Sequence, residues 1–353
     1  MKQRALINFL QTERLDSSLM IGFYGGGNYG DELLMEVLAG LLKKQGAEDV
    51  SIAYQTPLLY DKFHHEFGFK RVDMQDKWQF IRAMASHKHI IVGGGGLWGM
   101  DCNRNIVGMS LLLLLCRVLL RKKIYLLAVG YYNSSTRMGR IGAWCAAKAA
   151  NLVLARDEES YQNFKCLQPN TLADTDIAWY IDYLNLDDYK SDLAQLEEQL
   201  HIVDKTLFFT LRRFRGSQQS QLAAMVEQCV KDNANKQIII GLMEPRHVDP
   251  EGYRQLLSWQ RQFPNLQIID CGFNPLALFL FFREHAKQLI FIGPQFHGIL
   301  SAHLNGLPYF PVAYDNKVLG LLRSIAPKLK PIPLHTLTQN DLQQFIDHSY
   351  KEA

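Results

Sequence analysis

Short apolar runs alternate with stretches of helical periodicity along most of the chain. The runs fall at residues 19–24, 50–54, 89–92, 124–129 and 152–155. They are too short for stable helices and are mostly aliphatic, so they read as buried strands. After the first run, Leu33, Leu34, Val37, Leu38, Leu41 and Leu42 return at helical spacing on one face. A polar region follows the fifth run. It carries Asp187, Asp188, Asp192, Glu197 and Glu198 and reads as a linker or a solvated helix. The alternation then restarts, with runs at 206–211, 237–242, 266–269, 289–292 and 309–312 and helical patterns at 217–232, 250–263 and 275–285. Strands alternating with helices predict parallel sheets covered on both faces. The expected fold is therefore α/β, with two Rossmann-like domains facing across a cleft. The N-terminal domain is expected over residues 1–180, a linker or hinge over 181–205, and the C-terminal domain over 206–353. In such sheets ligands sit beyond the carboxyl ends of the strands.

The first run ends in Gly25-Gly26-Gly27-Asn28-Tyr29-Gly30-Asp31-Glu32, and a helical pattern starts at once. Glycines let a ligand approach the backbone, and the new helix presents N–H groups that suit an anion. The competing explanation is a tight strand–helix turn in which Asp31 only caps the helix. Capping by Asp31 leaves Asn28 unexplained, which favours a site. A P-loop requires Gly-Lys-Ser/Thr, and Gly30 is followed by acids instead. The Gly-x-Gly-x-x-Gly spacing is met only inside a glycine run, and no acidic residue closes the next strand to hold a ribose.

Composition narrows the class. The chain has 353 residues, enough for two domains, and 48% of them are apolar. A formal net charge of +3 gives no reason to expect nucleic acid as partner. The six cysteines have no metal-ligand spacing, and most of them read as buried thiols of a reducing compartment. Residues 1–16 lack the apolar core of a signal peptide, so a cytoplasmic protein is expected. Residues 106–120 form a very apolar stretch containing Leu111 to Leu115, followed by Arg121, Lys122 and Lys123. It is too short to span a bilayer comfortably. It is either a buried helix or a face that rests on the membrane beside anionic lipid.

The pattern Gly25-x-x-Asn28-x-Gly30-Asp31-Glu32 resembles the opening motif of the polysaccharide pyruvyl transferase family. Four further segments follow in that family's order: residues 89–98, which end in Gly93-Gly94-Gly95-Gly96-Leu97-Trp98; 154–160, around Arg156; 208–212; and 296–302, around His297, continued by Gly306-Leu307-Pro308 and Asp315-Asn316-Lys317. The resemblance implies a GT-B-like fold. It also implies transfer of an enolpyruvyl unit from phosphoenolpyruvate to sugar hydroxyls, leaving a pyruvate ketal. The expected acceptor is a polysaccharide or a lipid-linked glycan precursor of the cell envelope, with peripheral membrane contact. Phosphoenolpyruvate is a co-substrate, and the chemistry requires neither a metal nor an organic cofactor.

Such a reaction needs an acid for the methylene carbon, a base for the acceptor hydroxyl, and fixed cations for a carboxylate and a phosphate. His297 is the candidate acid, since histidine exchanges a proton near neutral pH. Asp31 is the candidate base, or orients the acceptor through hydrogen bonds. Arg156, Arg212 and Lys317 are candidate donor-binding cations, with Gly94, Gly95 and Gln295 lining the same site; either arginine could instead make a structural ion pair. Gly27, Asn28, Glu244 and His247 are the acceptor-side candidates. Many family members carry arginine two residues before the histidine, where this chain has Gln295. A neutral amide supplies no charge for a carboxylate or phosphate. Two rival functions follow: a GT-B-like glycosyltransferase using a nucleotide sugar, and a glycan-binding relative without catalysis.

Overall fold

The computed structural model describes residues 5–56, 67–98, 102–133, 136–211, 217–244, 250–272, 274–314 and 316–351. The chain divides into two compact units. The first comprises residues 1–26 and 31–185, the second residues 27–30 and 186–353.

The first unit runs α1 (Ala5–Thr12), β1 (Ser17–Ile21), α2 (Tyr29–Lys44), β2 (Asp49–Tyr54), β3 (Lys70–Asp73), α3 (Lys77–Ser86), β4 (His89–Gly93), α4 (Arg104–Leu119), β5 (Lys123–Val129), α5 (Arg137–Ala149), β6 (Leu152–Ala155), α6 (Glu158–Lys165) and β7 (Thr171–Ala173). Among the described residues its seven strands are parallel, in the order β3-β2-β1-β4-β5-β6-β7. The chain starts in the middle, grows to one edge, then crosses β1 to grow to the other. The pairing of Leu19 with both Ser51 and Ile90 fixes the register at that switch. Central strands such as β4 are buried along their whole length, which is why they read as continuous apolar runs. Side-chain caps start the helices: Asp76 on α3, Asn103 on α4, Thr136 on α5 and Asp157 on α6.

One face of this sheet is covered by α3, α4 and α5. Phe80 and Met84, Leu113 and Cys116, and Ala143 and Ala146 share one core with Ile90, Val92, Ile124 and Leu126. α4 is not enclosed, however. Ile106, Leu113 and Cys116 face inward, whereas Leu111, Leu115, Val118 and Leu119 are exposed. Of the two readings of residues 106–120, a buried helix describes only one stripe, which meets the sheet; the opposite stripe is equally apolar and is exposed among the described residues. Among the described residues no helix is long and apolar enough to cross a membrane.

The second unit continues with α7 (Lys190–Gln199), β8 (Thr206–Leu211), α8 (Ser217–Asp232), β9 (Ile238–Leu242), α9 (Pro250–Gln262), β10 (Leu266–Asp270), α10 (Pro275–Glu284), β11 (Leu289–Gly293), α11 (Phe296–Leu304), β12 (Tyr309–Ala313), α12 (Asn316–Ile325), β13 (Ile332–Pro333) and α13 (Gln339–Lys351). Its six described strands are parallel and take the order β10-β9-β8-β11-β12-β13, the same winding as the first unit. Residues 186–199, inside the segment expected as a linker or solvated helix, form a short 3-10 turn and α7 within this unit. α7 packs on α10, and Glu197 reaches His285 Nε2 at 2.8 Å.

Candidate active site

Each sheet reverses its strand order beside its first strand, and in the first unit the loops at that point carry the glycines singled out in the sequence. Ligands of open parallel sheets bind at such switch points. In the first unit the loops are those after β1 and β4. The Tyr24 hydroxyl donates to Gly93 O at 2.6 Å, tying the two together. Glu32 is fully buried and accepts from Gly25 N at 3.0 Å, so it closes the glycine turn from inside. Gly94 and Gly95 adopt φ of 71° and 84°, a left-handed stretch that other residues enter at a cost. A Cβ on Gly95 would lie 3.6 Å from Asp31 Oδ1, which places the Asp31 carboxylate over this turn. Burial, with Asp31 and Glu32 adding to it, pushes the Tyr24 hydroxyl well above its ordinary range and keeps it protonated.

The helix cap is not Asp31. α2 starts at Tyr29, and Asn28 Oδ1 accepts from Gly30 N at 3.1 Å. Asn28 therefore caps the helix, and Asp31 stands in the first turn, relieved of that task.

Arg156 follows β6 and is enclosed, its side chain 3% exposed. Its Nε and Nη2 donate to the Tyr132 hydroxyl at 2.8 and 2.5 Å, and that hydroxyl donates to Asp157 Oδ2 at 2.9 Å. Nη1 lies 3.5 Å from Asp176 Oδ2, and Nε 3.5 Å from Asp157 Oδ2. Burial opposes the charge, but Tyr132, Asp176 and Asp157 outweigh it and raise the guanidinium above its ordinary value. Asp176 also caps the 3-10 turn Ile177–Tyr183. The side chain is thus gripped in a network of hydrogen bonds and ion pairs with Tyr132, Asp157 and Asp176.

In the second unit the switch point lies between β8 and β11. Gln295 precedes α11, and its Nε2 donates to Leu211 O at 2.5 Å, joining the ends of the two strands. Its Oε1, and the hydroxyl of the 1%-exposed Thr210, have no hydrogen-bond partner among the described residues. His297 is half-buried in the first turn of α11. The segment Gly27–Gly30 packs here. Tyr29 N donates to Met243 O at 2.9 Å, and the Tyr29 hydroxyl pairs with Ser301 Oγ at 2.8 Å. Gly30 lies so close to the imidazole that a Cβ there would stand 2.0 Å from His297 Nδ1. Gly27 packs as closely, since a Cβ on Gly272 would meet Gly27 O at 1.7 Å. The structure thus groups Gly27 and Asn28 with His297 and Gln295.

Lys317 is half-buried in the first turn of α12, and Glu244 is half-buried just after β9. Arg212 and His247 lie outside the described residues. Among the described residues no three His, Cys, Asp or Glu side chains come together as a metal site. Sequence reasoning missed Glu32, Tyr29, Tyr132, Asp176 and Thr210. Only Glu32 carried a signal, its place in the family motif after Asp31.

The sequence profile of the polysaccharide pyruvyl transferases matches residues 28–316, from the cap of α2 to the start of α12. The chain belongs to that family. It is therefore a transferase, of the class that modifies polysaccharides with pyruvyl groups. No curated protein matches it in sequence. Among solved structures, it is similar to the UDP-GlcNAc 2-epimerase of Neisseria meningitidis bound to UDP-GlcNAc, with a TM-score of 0.61 and 13% identity over 94% of this chain and 93% of that one. The UDP-GlcNAc 2-epimerase of Methanocaldococcus jannaschii gives 0.59 and 10% over 95% and 91%. Anabaena HepE in complex with UDP and glucose gives 0.58 and 12% over 95% and 91%. At these identities the likeness establishes the fold, two Rossmann-like units of the GT-B kind, and nothing about substrates.

Proposed function

We propose that this transferase moves a pyruvyl group from phosphoenolpyruvate to two hydroxyls of one sugar in a polysaccharide or a lipid-linked glycan precursor. The reaction runs on the cytoplasmic side of the envelope, without a metal or organic cofactor. His297 protonates the methylene carbon of the donor. An acceptor hydroxyl attacks the adjacent carbon while Asp31 takes or orients its proton. A neighbouring hydroxyl of the same sugar then displaces phosphate and closes the ketal, so one donor and two hydroxyls give one ketal and one inorganic phosphate. The N-terminus of α11 and Lys317 hold the donor's negative charge, and Arg156 holds the loop beyond β6 in place.

The observation that carries this reading is the position of His297. It opens α11 at the switch point of its sheet, its ring against Gly30, inside the span matched by the family. Calorimetry with phosphoenolpyruvate tests it, comparing the native protein with His297→Ala and Gln295→Arg. Micromolar to millimolar binding that weakens in His297→Ala supports the proposal. Absence of binding to the native protein, with binding gained in Gln295→Arg, overturns the choice of donor.

The neutral Gln295 favours one second reading, a nucleotide-sugar donor, because its unpartnered Oε1 accepts a hydrogen bond rather than neutralising an anion. HepE was solved with UDP and glucose. A rise in melting temperature with UDP but not with phosphoenolpyruvate would decide for it.

A further inference from the structure

The outer surface of α3, α4 and α5 has a composition unlike the rest of the chain. On α4, Leu111, Leu115, Val118 and Leu119 recur at helical spacing and point to solvent, with Leu119 71% exposed. On α3, Trp78 is 74% exposed and Ile81 lies beside it. On α5, Ile141 and Trp144 are also exposed. All three helices share one core beneath, and α4 and α5 pack extensively side by side. These side chains therefore form one surface rather than scattered exposures.

Charge on these three helices is of a single sign. α3, α4 and α5 contain no aspartate or glutamate. They carry exposed Lys77, Arg82, Arg104, Arg137, Arg140 and Lys148, and Arg121 follows α4. The Asp76 carboxylate is occupied in capping α3, with its Oδ1 3.0 Å from Trp78 N. Arginine and lysine around exposed leucine and tryptophan match an interfacial helix, whose apolar stripe enters the headgroup region while the cations meet acidic lipid. A solvated protein surface would mix the two signs, and a partner interface would not need a one-sign rim.

A cavity of about 630 Å³ sinks from this surface between α3 and α4. Its lining runs from Ile81 and Leu112 inward to Leu97, Gly22 and Phe23, the last two at the carboxyl end of β1.

We propose that the α3–α4–α5 face docks on an anionic lipid bilayer, with the leucines of α4 and the tryptophans of α3 and α5 in the interface. The cavity then opens from the membrane surface toward the glycine turn, the direction a lipid-linked acceptor has to follow. This deepens the lipid-linked reading of the acceptor and rests on it for its purpose, but its test contains neither donor nor acceptor, so the two readings fail separately.

The test is flotation of the full chain with vesicles of phosphatidylcholine alone and of phosphatidylcholine mixed with phosphatidylglycerol. The native protein is expected to float with the mixed vesicles at least about tenfold more than with the neutral ones, and less as salt rises. Leu115→Glu/Leu119→Glu, at exposed positions, should keep the native melting temperature and lose flotation by about tenfold or more. Lys77→Gln/Arg82→Gln should lower the preference for the acidic lipid. No flotation of the native protein, or equal flotation of the Leu115→Glu/Leu119→Glu protein, overturns the proposal. So does a native dimer in sedimentation that this variant dissociates without any lipid binding, which would make the face a contact between copies.

Discussion

Replacing Arg156 by methionine separates its two roles. Methionine keeps much of the volume and removes the cation. The Asp176 carboxylate, 4% exposed, then loses the guanidinium 3.5 Å away, and the Tyr132 hydroxyl loses two donors. Removing one partner of a buried pair costs about 3–5 kcal/mol, because the other charge stays buried without compensation. Asp157 is more exposed and adds less. Against a whole-domain stability of about 5–15 kcal/mol the loss is large. With a urea dependence of about 2 kcal/mol per molar, the unfolding midpoint falls by roughly 2 M. Tryptophan fluorescence suits the measurement, since Trp78, Trp98, Trp144 and Trp179 belong to the first unit and only Trp259 to the second. Asp176→Asn in the methionine background removes the stranded charge and should recover about 1–3 kcal/mol as coupling energy. An Arg156→Met protein within about 1 kcal/mol of native, with no coupling to Asp176→Asn, would refute the structural assignment and return Arg156 to the donor-binding candidates.

Three further outcomes follow from the same geometry. Gly30→Ala places a Cβ 2.0 Å from His297 Nδ1, so the ring must retreat by roughly 1.4 Å to reach van der Waals distance. A displacement of that size at a proton donor should lower kcat about 100-fold while the melting temperature holds; a native rate of phosphate release would remove His297 from the chemistry. Tyr29→Phe leaves Ser301 Oγ unpaired and should cost about 1–3 kcal/mol, most of it recovered in Tyr29→Phe/Ser301→Ala, as read by thermal unfolding. Burial raises Asp174 to about 6, against hydrogen bonds from Tyr180, Thr175 and Leu6. A carboxyl raised on folding contributes stability below its unfolded value, near 3.8, and loses it as pH rises through about 6. Stability should thus fall by up to about 3 kcal/mol from pH 4 to pH 7 through this group, and a pH series of denaturation curves for Asp174→Asn should lack that slope.

Periodicity determined much of the architecture because burial on both faces leaves a mark on composition. Nine of the ten runs identified in the sequence correspond to interior strands of the two sheets; the tenth is β10, an edge strand whose Leu266, Ile268 and Ile269 kept it legible, and the doubly wound α/β class followed from the alternation of the runs with helices. The strands that were not legible are β3, β7 and β13, and each lies at the edge of its sheet. An edge strand is half solvated, so β3 reads Lys-Arg-Val-Asp and carries no apolar signal; its pairing to β2 makes it a strand. The glycine turns, the family motif and His297 were likewise visible, since left-handed turns and close approaches demand particular residues locally.

What tertiary structure decided is which polar groups meet. Sequence could not separate the cap Asn28 from the uncapped Asp31, because both lie where a helix begins. It could not enclose Arg156, because Tyr132 and Asp176 reach it from segments 24 and 20 residues away through the pairing of separate strands. It could not assign Gly27–Gly30 to the second unit, since that depends on Met243, Ser301 and His297. Nor could it tell whether the leucines of α4 are covered. Hydrophobicity records what a side chain tolerates; only the packing of α3, α4 and α5 on one face settles which leucines the protein itself buries and which it leaves exposed.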